Sequence, residues 1–237
     1  MPSTGRTGHA PSYPAHRQQI NQHTIKFIVG VIAISLGPLT WIFAFPPPLL
    51  SISASYYSGG VSQSIFIGFL FATAAFLLAY NGYGPWDMWL SRLAAAAALG
   101  VALFPCHCAL HSELGLSVHT AAAIIMFLIL VYFCYGFYKR AQEKLKEDKQ
   151  RRHARWRAGI YVVCGVLIVL SLVILAVDPL TGHLFSHNFK YLVFWGELVS
   201  LVAFGVSWLT ASRIIWFLTQ PGERYSLRPS SEDPKEP

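Results

Sequence analysis

Six long apolar runs dominate the sequence, each separated from the next by a polar segment. An α-helix needs about 20 predominantly apolar residues to cross the hydrocarbon core of a bilayer. Of the 237 residues, 54% are hydrophobic and only 12% are charged, about half the charged share of a soluble domain. A membrane β-barrel would instead show short alternating segments. The sequence therefore predicts an all-α, polytopic membrane protein, built as a six-helix transmembrane bundle.

The sequence divides into three predicted regions. Residues 1–24 are rich in Gly, Pro, Ser and His and have no apolar period, which is typical of a flexible tail. Residues 25–218 form the transmembrane domain, and residues 219–237 form a second flexible tail that contains Pro221 and Gly222. The predicted spans cover about residues 25–45, 61–80, 90–104, 116–138, 158–177 and 191–218.

Lysine and arginine are distributed very unevenly between the two sides of the predicted bundle. Seventeen of the 18 fall on the side of the two tails, and Lys190 is the exception. The positive-inside rule then puts both termini in the cytoplasm, which agrees with an even number of spans. Half of these cations lie in residues 139–157, which we interpret as a solvated loop facing anionic lipid headgroups. The net charge of +7 therefore favours membrane lipids or a membrane-protein partner, and no nucleic-acid recognition fold accompanies it.

Polar residues collect in the three segments predicted to lie on the opposite, outer side, at 47–63, 105–117 and 178–190. The first contributes the hydroxyl-rich stretch "SISASYYSGG" with Tyr56, and the third contributes Asp178. Five histidines lie in these segments or at their edge: His107, His111, His119, His183 and His187. Together these residues predict an outward-facing polar layer.

This polar layer has two interpretations. Imidazole is a zinc ligand, so three of the histidines with Asp178 would suit a metal site assembled from several loops. Alternatively, histidine and tyrosine are amphipathic rings that suit the membrane–water interface without any metal. We predict that the protein has no cofactor. The alternative is zinc, for which the candidate ligands are His107, His111 and His119.

Two polar residues are predicted inside the membrane region. His119 begins the fourth span, where its imidazole is expected to find a partner within the bundle. Glu197 lies about two turns into the sixth span, where an acidic side chain costs about 2.5–3.5 kcal/mol to insert. The carboxyl group must therefore be protonated, paired or exposed to a polar cavity. We predict that it pairs with the outer histidines, His119 first.

Three stretches carry a resemblance to known families. The stretch "FAFPPP" ends the first span, "SVHTAAAIIMF" opens the fourth, and "FWGELVSLVAFGVSW" brings Trp195 and Glu197 into the sixth. Over about residues 25–218 the chain resembles the DRAM/Frag/Sfk six-span membrane proteins and related uncharacterised bacterial membrane proteins. The resemblance implies an integral membrane protein tied to lipid or membrane homeostasis.

A second resemblance is to the zinc-dependent seven-helix membrane hydrolases, which use Ser, Asp and three His near one membrane face. The present chain has these residue types on one face but lacks a seventh span. His183 and His187 have the H-x-x-x-H spacing of that family's last helix, but they precede the last span. We therefore predict a non-enzymatic membrane protein that binds lipid or a protein partner. The alternative is a zinc-dependent membrane hydrolase that acts on a lipid head group or amide at the outer face.

Overall fold

The computed structural model describes residues 21–45, 48–106, 117–147 and 151–215. In these ranges the chain is helical and contains no β-strand. The helices are α1 (Gln22–Ile42), α2 (Ser55–Ser58), α3 (Gly60–Ala79), α4 (Pro85–Leu103), α5 (Val118–Glu147), α6 (Arg151–Leu180), α7 (Leu184–Asn188) and α8 (Leu192–Ala211). The predicted all-α class is confirmed.

The long helices pack side by side in chain order around a closed ring. Helix α1 contacts α3, and the contacts continue through α4, α5, α6 and α8 back to α1. Helix α5 also contacts α8 across the ring. Nδ1 of His23 lies 3.0 Å from the carbonyl oxygen of Ser212, so α1 begins where α8 ends. The start of α1 and the end of α8 therefore lie at one end of the bundle. We call it the basic end because Lys26, Arg140, Arg157 and Arg213 lie there; the opposite end is the cap end.

Within the described ranges, five helices are long and apolar enough to cross a membrane: α1, α3, α5, α6 and α8. The predicted class of multi-pass membrane protein is thereby confirmed. Helix α4 packs between α3 and α5 but is less apolar than these five helices. Its first half carries Asp87 and Arg92, and its second half is rich in alanine, which is only weakly apolar. The sixth span stays a prediction.

The predicted boundaries differ most around the basic run at 139–157. We predicted a loop there, but α5 continues to Glu147 and α6 begins at Arg151. The reason is that Lys, Arg, Glu, Gln and Ala are all strong helix formers, so the two helices extend beyond the apolar spans. The last span also ends earlier than predicted. Helix α8 ends at Ala211, whereas the predicted span continues to residue 218. Arg213 then adopts a left-handed backbone conformation with φ of 58°.

Helices α1 and α8 approach each other closely at a pair of glycines. A Cβ atom built on Gly205 would lie 2.7 Å from the carbonyl oxygen of Gly30 and 2.5 Å from Cγ1 of Ile34. A Cβ atom on Gly30 would lie 2.9 Å from the carbonyl oxygen of Gly205. Small residues of this kind let membrane helices pack backbone to backbone. This contact closes the ring between the first and last helices.

Replacing Gly205 with alanine is expected to destabilise the protein by about 2 kcal/mol, the usual cost of overpacking a tight contact. The clash is with backbone, so a change of side-chain rotamer cannot relieve it. The measurement is the unfolding midpoint of detergent-purified protein. Gly68→Ala is the matched control, because a Cβ atom there meets nothing within 4 Å and alanine is the better helix former. Equal midpoints for the two variants would contradict the close approach.

Candidate functional site

Glu197 anchors the polar layer at the cap end. One oxygen, Oε2, accepts hydrogen bonds from the backbone N–H of Ile52 at 2.5 Å and of Ser53 at 3.4 Å. The other, Oε1, accepts the hydroxyl of Ser53 at 2.8 Å. The carboxylate therefore binds the loop between α1 and α2. Glu197 accepts hydrogen bonds from buried backbone N–H groups. Without it, these groups would have no partner in a region with little water.

The same loop covers the cap end of the ring. Ile52 and Ser55 are 2% and 0% exposed. The backbone N–H of Phe194, on α8, donates to the carbonyl of Leu50 at 3.1 Å, and Tyr57 Oη donates to the carbonyl of Cys106 at 2.6 Å. Cys106 is itself disulfide-bonded. Tyr56, a predicted site residue, packs its ring against that of Tyr57 with centroids 5.5 Å apart and is partly buried against the core. Tyr56 thus serves the packing of the loop.

His119 lies inside the ring and is 5% exposed. Its Nδ1 is 2.8 Å from the carbonyl oxygen of Phe104, which follows the end of α4. A carbonyl only accepts, so Nδ1 carries the hydrogen. His119 and Glu197 line the same cavity of about 40 Å³. Their hydrogen bonds go to Phe104 and to the loop, so the predicted pair shares a cavity without a hydrogen bond between the two side chains.

Asp178 organises the segment that joins α6 to α8. Its Oδ1 accepts the backbone N–H groups of Phe185 and Ser186, both at 2.9 Å, and its Oδ2 lies 3.3 Å from Nδ1 of His183. Asp178 is 5% exposed, whereas His183 and His187 are exposed. The carboxylate therefore fixes the turn into α7. It does not bring the two exposed histidines to His119.

The zinc hypothesis requires at least three ligands at one point. Within the described ranges, no group of three or more His, Cys, Asp or Glu side chains could hold a metal ion. His107 and His111 lie outside the described residues. His119 is enclosed in the ring, while His183 and His187 lie on its surface. Zinc binding therefore stays a prediction that depends on the residues outside these ranges.

A second site, which the sequence did not indicate, lies at the basic end. A cavity of about 240 Å³, the end cavity, opens between the loop after α3 and helices α5, α6 and α8. Four cationic residues of the described ranges line it: Arg140, Lys144, Arg157 and Arg213. Glu143 is the acidic residue among the described lining residues. Arg157 is only 7% exposed. Among the described lining residues, cations therefore outnumber acidic groups by four to one.

Asp87 holds one wall of the end cavity in place. Its carboxylate forms an ion pair with Arg140 and accepts the backbone N–H of Tyr83 at 3.0 Å and the hydroxyl of Tyr132 at 3.3 Å. Gly82 makes the turn possible, since its φ is 64° and a Cβ atom would lie 2.2 Å from Cβ of Asp87. The contacts join the loop after α3 to α4 and α5.

Lys26 lies behind this wall and is 1% exposed. Its Nζ donates to the hydroxyl of Tyr83 at 2.8 Å and lies 4.5 Å from the centroid of the Tyr83 ring and 5.5 Å from those of Tyr80 and Phe137. Burial alone would raise the pKa of Tyr83, but this pKa is lowered, because the charge and hydrogen bond of Lys26 act against burial. Arg213 and Arg140 act in the same direction. The end cavity thus favours negative charge on a neighbouring oxygen.

A third feature is an apolar groove between α6 and α8, with a volume of about 1170 Å³. The two helices touch where Gly196 meets Leu175, since a Cβ atom on Gly196 would lie 3.0 Å from Cδ1 of Leu175. The groove lining on α6 runs from Arg152 to Leu167, nearer the basic end than this contact. Arg152, Arg155 and Trp156 line its start on α6 and are exposed. The remaining lining is aliphatic apart from Trp195, Gly159 and Cys164.

Residues 49–237 match the sequence profile of DUF4153, a domain of unknown function. The chain belongs to the DUF4153 family. No curated protein and no solved structure matches the chain. Membership of DUF4153 agrees with the resemblance to uncharacterised membrane proteins. The more specific resemblance to the DRAM/Frag/Sfk proteins stays a prediction.

The match places most of this DUF4153 chain, including α2 to α8, within the family region. Glu197, Asp178 and His119, all predicted from sequence, act in the described structure as partners of backbone groups. The residues that sequence reasoning missed are those of the end cavity. One feature of the sequence could have indicated Arg140 and Arg157 as site residues. They lie at opposite edges of the basic run 139–157, next to the predicted spans, where cations can turn into the bundle.

Proposed function

We propose that this DUF4153 protein is a non-enzymatic integral membrane protein that binds an anionic phospholipid in the groove between α6 and α8. One observation carries the proposal: an apolar groove that ends in two exposed arginines, Arg152 and Arg155. The polar residues at the cap end support the proposal that the protein is not an enzyme. Glu197 and Asp178 already accept hydrogen bonds from loop backbone and act as structural acceptors.

The shape of the groove supports an acyl chain as its apolar occupant. Arg155 and Leu167 are twelve residues apart on α6, which corresponds to about 18 Å along the helix axis. That distance matches one leaflet of a hydrocarbon core about 30 Å thick. The groove has an aliphatic lining and lies on the surface of two helices long and apolar enough to span a membrane. Hydrocarbon therefore fills it at a lower free-energy cost than water does.

The start of the groove supports an anionic headgroup. Arg152 and Arg155 are exposed and line the groove on the side where α6 extends beyond its apolar part. A guanidinium binds a phosphate with two parallel hydrogen bonds, and each cation near an anionic membrane surface contributes about 1 kcal/mol. Trp156 is 63% exposed between these arginines and the apolar lining, as expected for an aromatic ring at the membrane interface.

The proposal includes a six-span topology with cytoplasmic termini. Helix α4 supports it, because it runs from the basic end at Asp87 to Phe104 beside His119, within the ring. The sequence pattern supports it as well, since 17 of the 18 lysines and arginines are predicted to lie on the side of the termini.

Single cysteines in a cysteine-free background test this topology. We expect an impermeant maleimide added outside intact cells to label a cysteine at Lys190 and to leave one at Arg152 unlabelled until the membrane is opened. The reverse pattern would contradict the proposed orientation. Labelling of both positions from outside would show that α6, which lies between them, does not cross the membrane as proposed.

The double variant Arg152→Ala/Arg155→Ala tests the headgroup. Loss of two cations at about 1 kcal/mol each is expected to lower the preference for anionic over zwitterionic lipid by about thirtyfold. The measurement is native mass spectrometry of protein extracted from vesicles of phosphatidylglycerol and phosphatidylcholine. Arg92→Ala is the control, because Arg92 is exposed on α4 and stacks on Trp89, away from the groove. An unchanged preference in the double variant would refute headgroup binding there.

A second pair of variants tests the acyl chain. Gly159 lines the groove, and a Cβ atom there meets nothing within 4 Å, so Gly159→Leu should fill part of the groove without a clash. Bound lipid is then expected to decrease while the protein stays folded. Gly68→Leu is the matched control, since Gly68 has equally open space on α3. Equal lipid retention by both variants would contradict occupation of the groove.

A further inference from the structure

The groove between α6 and α8 is lined at different levels by its two helices. On α6 the lining runs from Arg152 to Leu167, and on α8 it runs from Trp195 to Val206. Helix α6 begins at the basic end, whereas α8 ends there, so the two helices are antiparallel. The level of each lining residue along the bundle therefore depends on the register between the helices.

Two contacts fix this register. A Cβ atom on Gly196 would lie 3.0 Å from Cδ1 of Leu175, and the thiol of Cys164 lies against the backbone of Ser207. Eleven residues forward on α8, from 196 to 207, thus correspond to eleven residues back on α6, from 175 to 164. Trp195, the residue before Gly196, is therefore level with the residue after Leu175.

The groove follows α6 first and α8 afterwards, so it is longer than either lining alone. Trp156 and the level of Trp195 are about twenty residues apart on α6, which corresponds to about 30 Å along the helix axis. That is the thickness of a whole hydrocarbon core, whereas one leaflet accounts for about 15 Å. The two tryptophans are 63% and 58% exposed, as expected for rings at opposite interfaces of the membrane.

Positive charge is present at one end of this path. Arg152 and Arg155 are the charged residues among the described lining residues, and both are exposed where the groove starts. The described lining at the other end, around Trp195, is apolar. A ligand with one anionic head and one long hydrocarbon chain matches this distribution. A lipid with a polar head at each end does not.

We propose that the preferred ligand of the groove is a polyprenyl phosphate, a lipid monophosphate whose single isoprenoid chain is longer than one leaflet. The inference rests on the proposed lipid-binding function and adds the kind of chain that the groove selects. The phosphate binds Arg152 and Arg155, because a guanidinium pairs with phosphate oxygens through two hydrogen bonds. The chain follows the apolar lining to Trp195.

The half of the groove on α8 provides the selectivity. The acyl chains of a glycerophospholipid lie side by side and reach the middle of the membrane, so they leave this half uncovered. A single longer chain continues along it and makes additional van der Waals contacts. Its methyl branches pack against a wall that contains Val199, Val202 and Val206.

The first experiment compares undecaprenyl phosphate with phosphatidic acid, which also carries a monophosphate head but has acyl chains that cross one leaflet. The full chain is extracted from phosphatidylcholine vesicles that contain both lipids in equal amounts, and bound lipid is measured by native mass spectrometry. We expect about tenfold more undecaprenyl phosphate, the effect of about ten further carbon–carbon contacts. Arg152→Ala/Arg155→Ala should lower the retention of both lipids. If both lipids are retained equally and both depend on the arginines, the chain inference is wrong and the proposed function stands. If neither depends on the arginines, the proposed function itself fails.

The second experiment tests the α8 half with a matched pair of variants. Val199 lines the groove and is 37% exposed, so Val199→Trp should obstruct this half. Val193→Trp is the control, because Val193 is 39% exposed on the same helix and is not among the described lining residues. We expect Val199→Trp to lower bound undecaprenyl phosphate about tenfold and to leave bound phosphatidic acid unchanged, which also shows that the variant is folded. The inference is overturned if Val199→Trp has no more effect than Val193→Trp, or if it lowers both lipids equally.

Discussion

Replacing Glu197 with alanine is expected to lower the free energy of unfolding by about 3 kcal/mol. The carboxylate accepts the N–H groups of Ile52 and Ser53 and the hydroxyl of Ser53. Ile52 is 2% exposed and Ser53 is 7% exposed, so donors left without an acceptor cannot turn to bulk water. Each unsatisfied buried donor costs about 1–3 kcal/mol, and the longer bond from Ser53 N–H contributes least. The loop between α1 and α2 should detach from α8, and the unfolding midpoint in detergent should fall.

Two further variants show whether the loss comes from the loop. Ser53→Ala removes only the hydroxyl donor, so it should cost about 1 kcal/mol. Glu197→Gln keeps one acceptor oxygen and should fall between the two. An ordinary surface substitution changes the free energy of unfolding by up to about 0.5 kcal/mol. If Glu197→Ala changed it by no more than this, the carboxylate would not hold the loop between α1 and α2 against α8.

Replacing Asp87 with asparagine is expected to destabilise the protein by about 2–3 kcal/mol. Asp87 is 5% exposed and pairs with Arg140, and removal of one member of such a pair leaves the other charge poorly compensated. The full cost of breaking a buried pair is about 3–5 kcal/mol. We expect less here because the side chain of Arg140 is 29% exposed and water can solvate it. The loop after α3 should also loosen, since Asp87 accepts the N–H of Tyr83.

A double-mutant cycle isolates the ion pair from these other contacts. Asp87→Asn combined with Arg140→Gln should cost clearly less than the sum of the single variants, because the double variant leaves no unpaired charge. Strict additivity would mean that the two side chains do not interact. The cycle also tests one contact of the end cavity, because Arg140 pairs with Asp87 and lines this cavity.

Glu197 illustrates how far sequence reasoning reaches inside a membrane protein. Its position in an apolar span predicts that the carboxyl group needs a partner, and the structure provides one. The predicted partner was His119, but the carboxylate binds the loop at Ile52 and Ser53. The only polar side chains near this point of the loop are serines, which do not mark it as a partner for an acid. Any residue has a backbone N–H, so a pattern of side chains cannot show which loop a carboxylate will bind.

The basic run at 139–157 shows a different limit. Its charge predicts that it lies outside the hydrocarbon, but charge does not distinguish a loop from a helix that extends beyond the membrane. Helices α5 and α6 continue to Glu147 and from Arg151, since the residues concerned are good helix formers. The exposed face of α6 then carries Arg152 and Arg155, while Arg157 turns inward. Helical periodicity separates these residues onto different faces, which a count of charges along the chain does not reveal.

The sequence by itself determined that the chain is a helical, multi-pass membrane protein, and it predicts that its cations gather on one side. These properties follow from composition along the chain, because the length of each apolar run is set by the thickness of the bilayer. Only the tertiary structure decided which polar residues meet. The closure of the ring brings Arg140, Arg157 and Arg213 to one cavity and puts Glu197 beneath the loop at Ile52. The rotation of each helix about its axis sets these meetings, and packing between helices distant in sequence fixes that rotation.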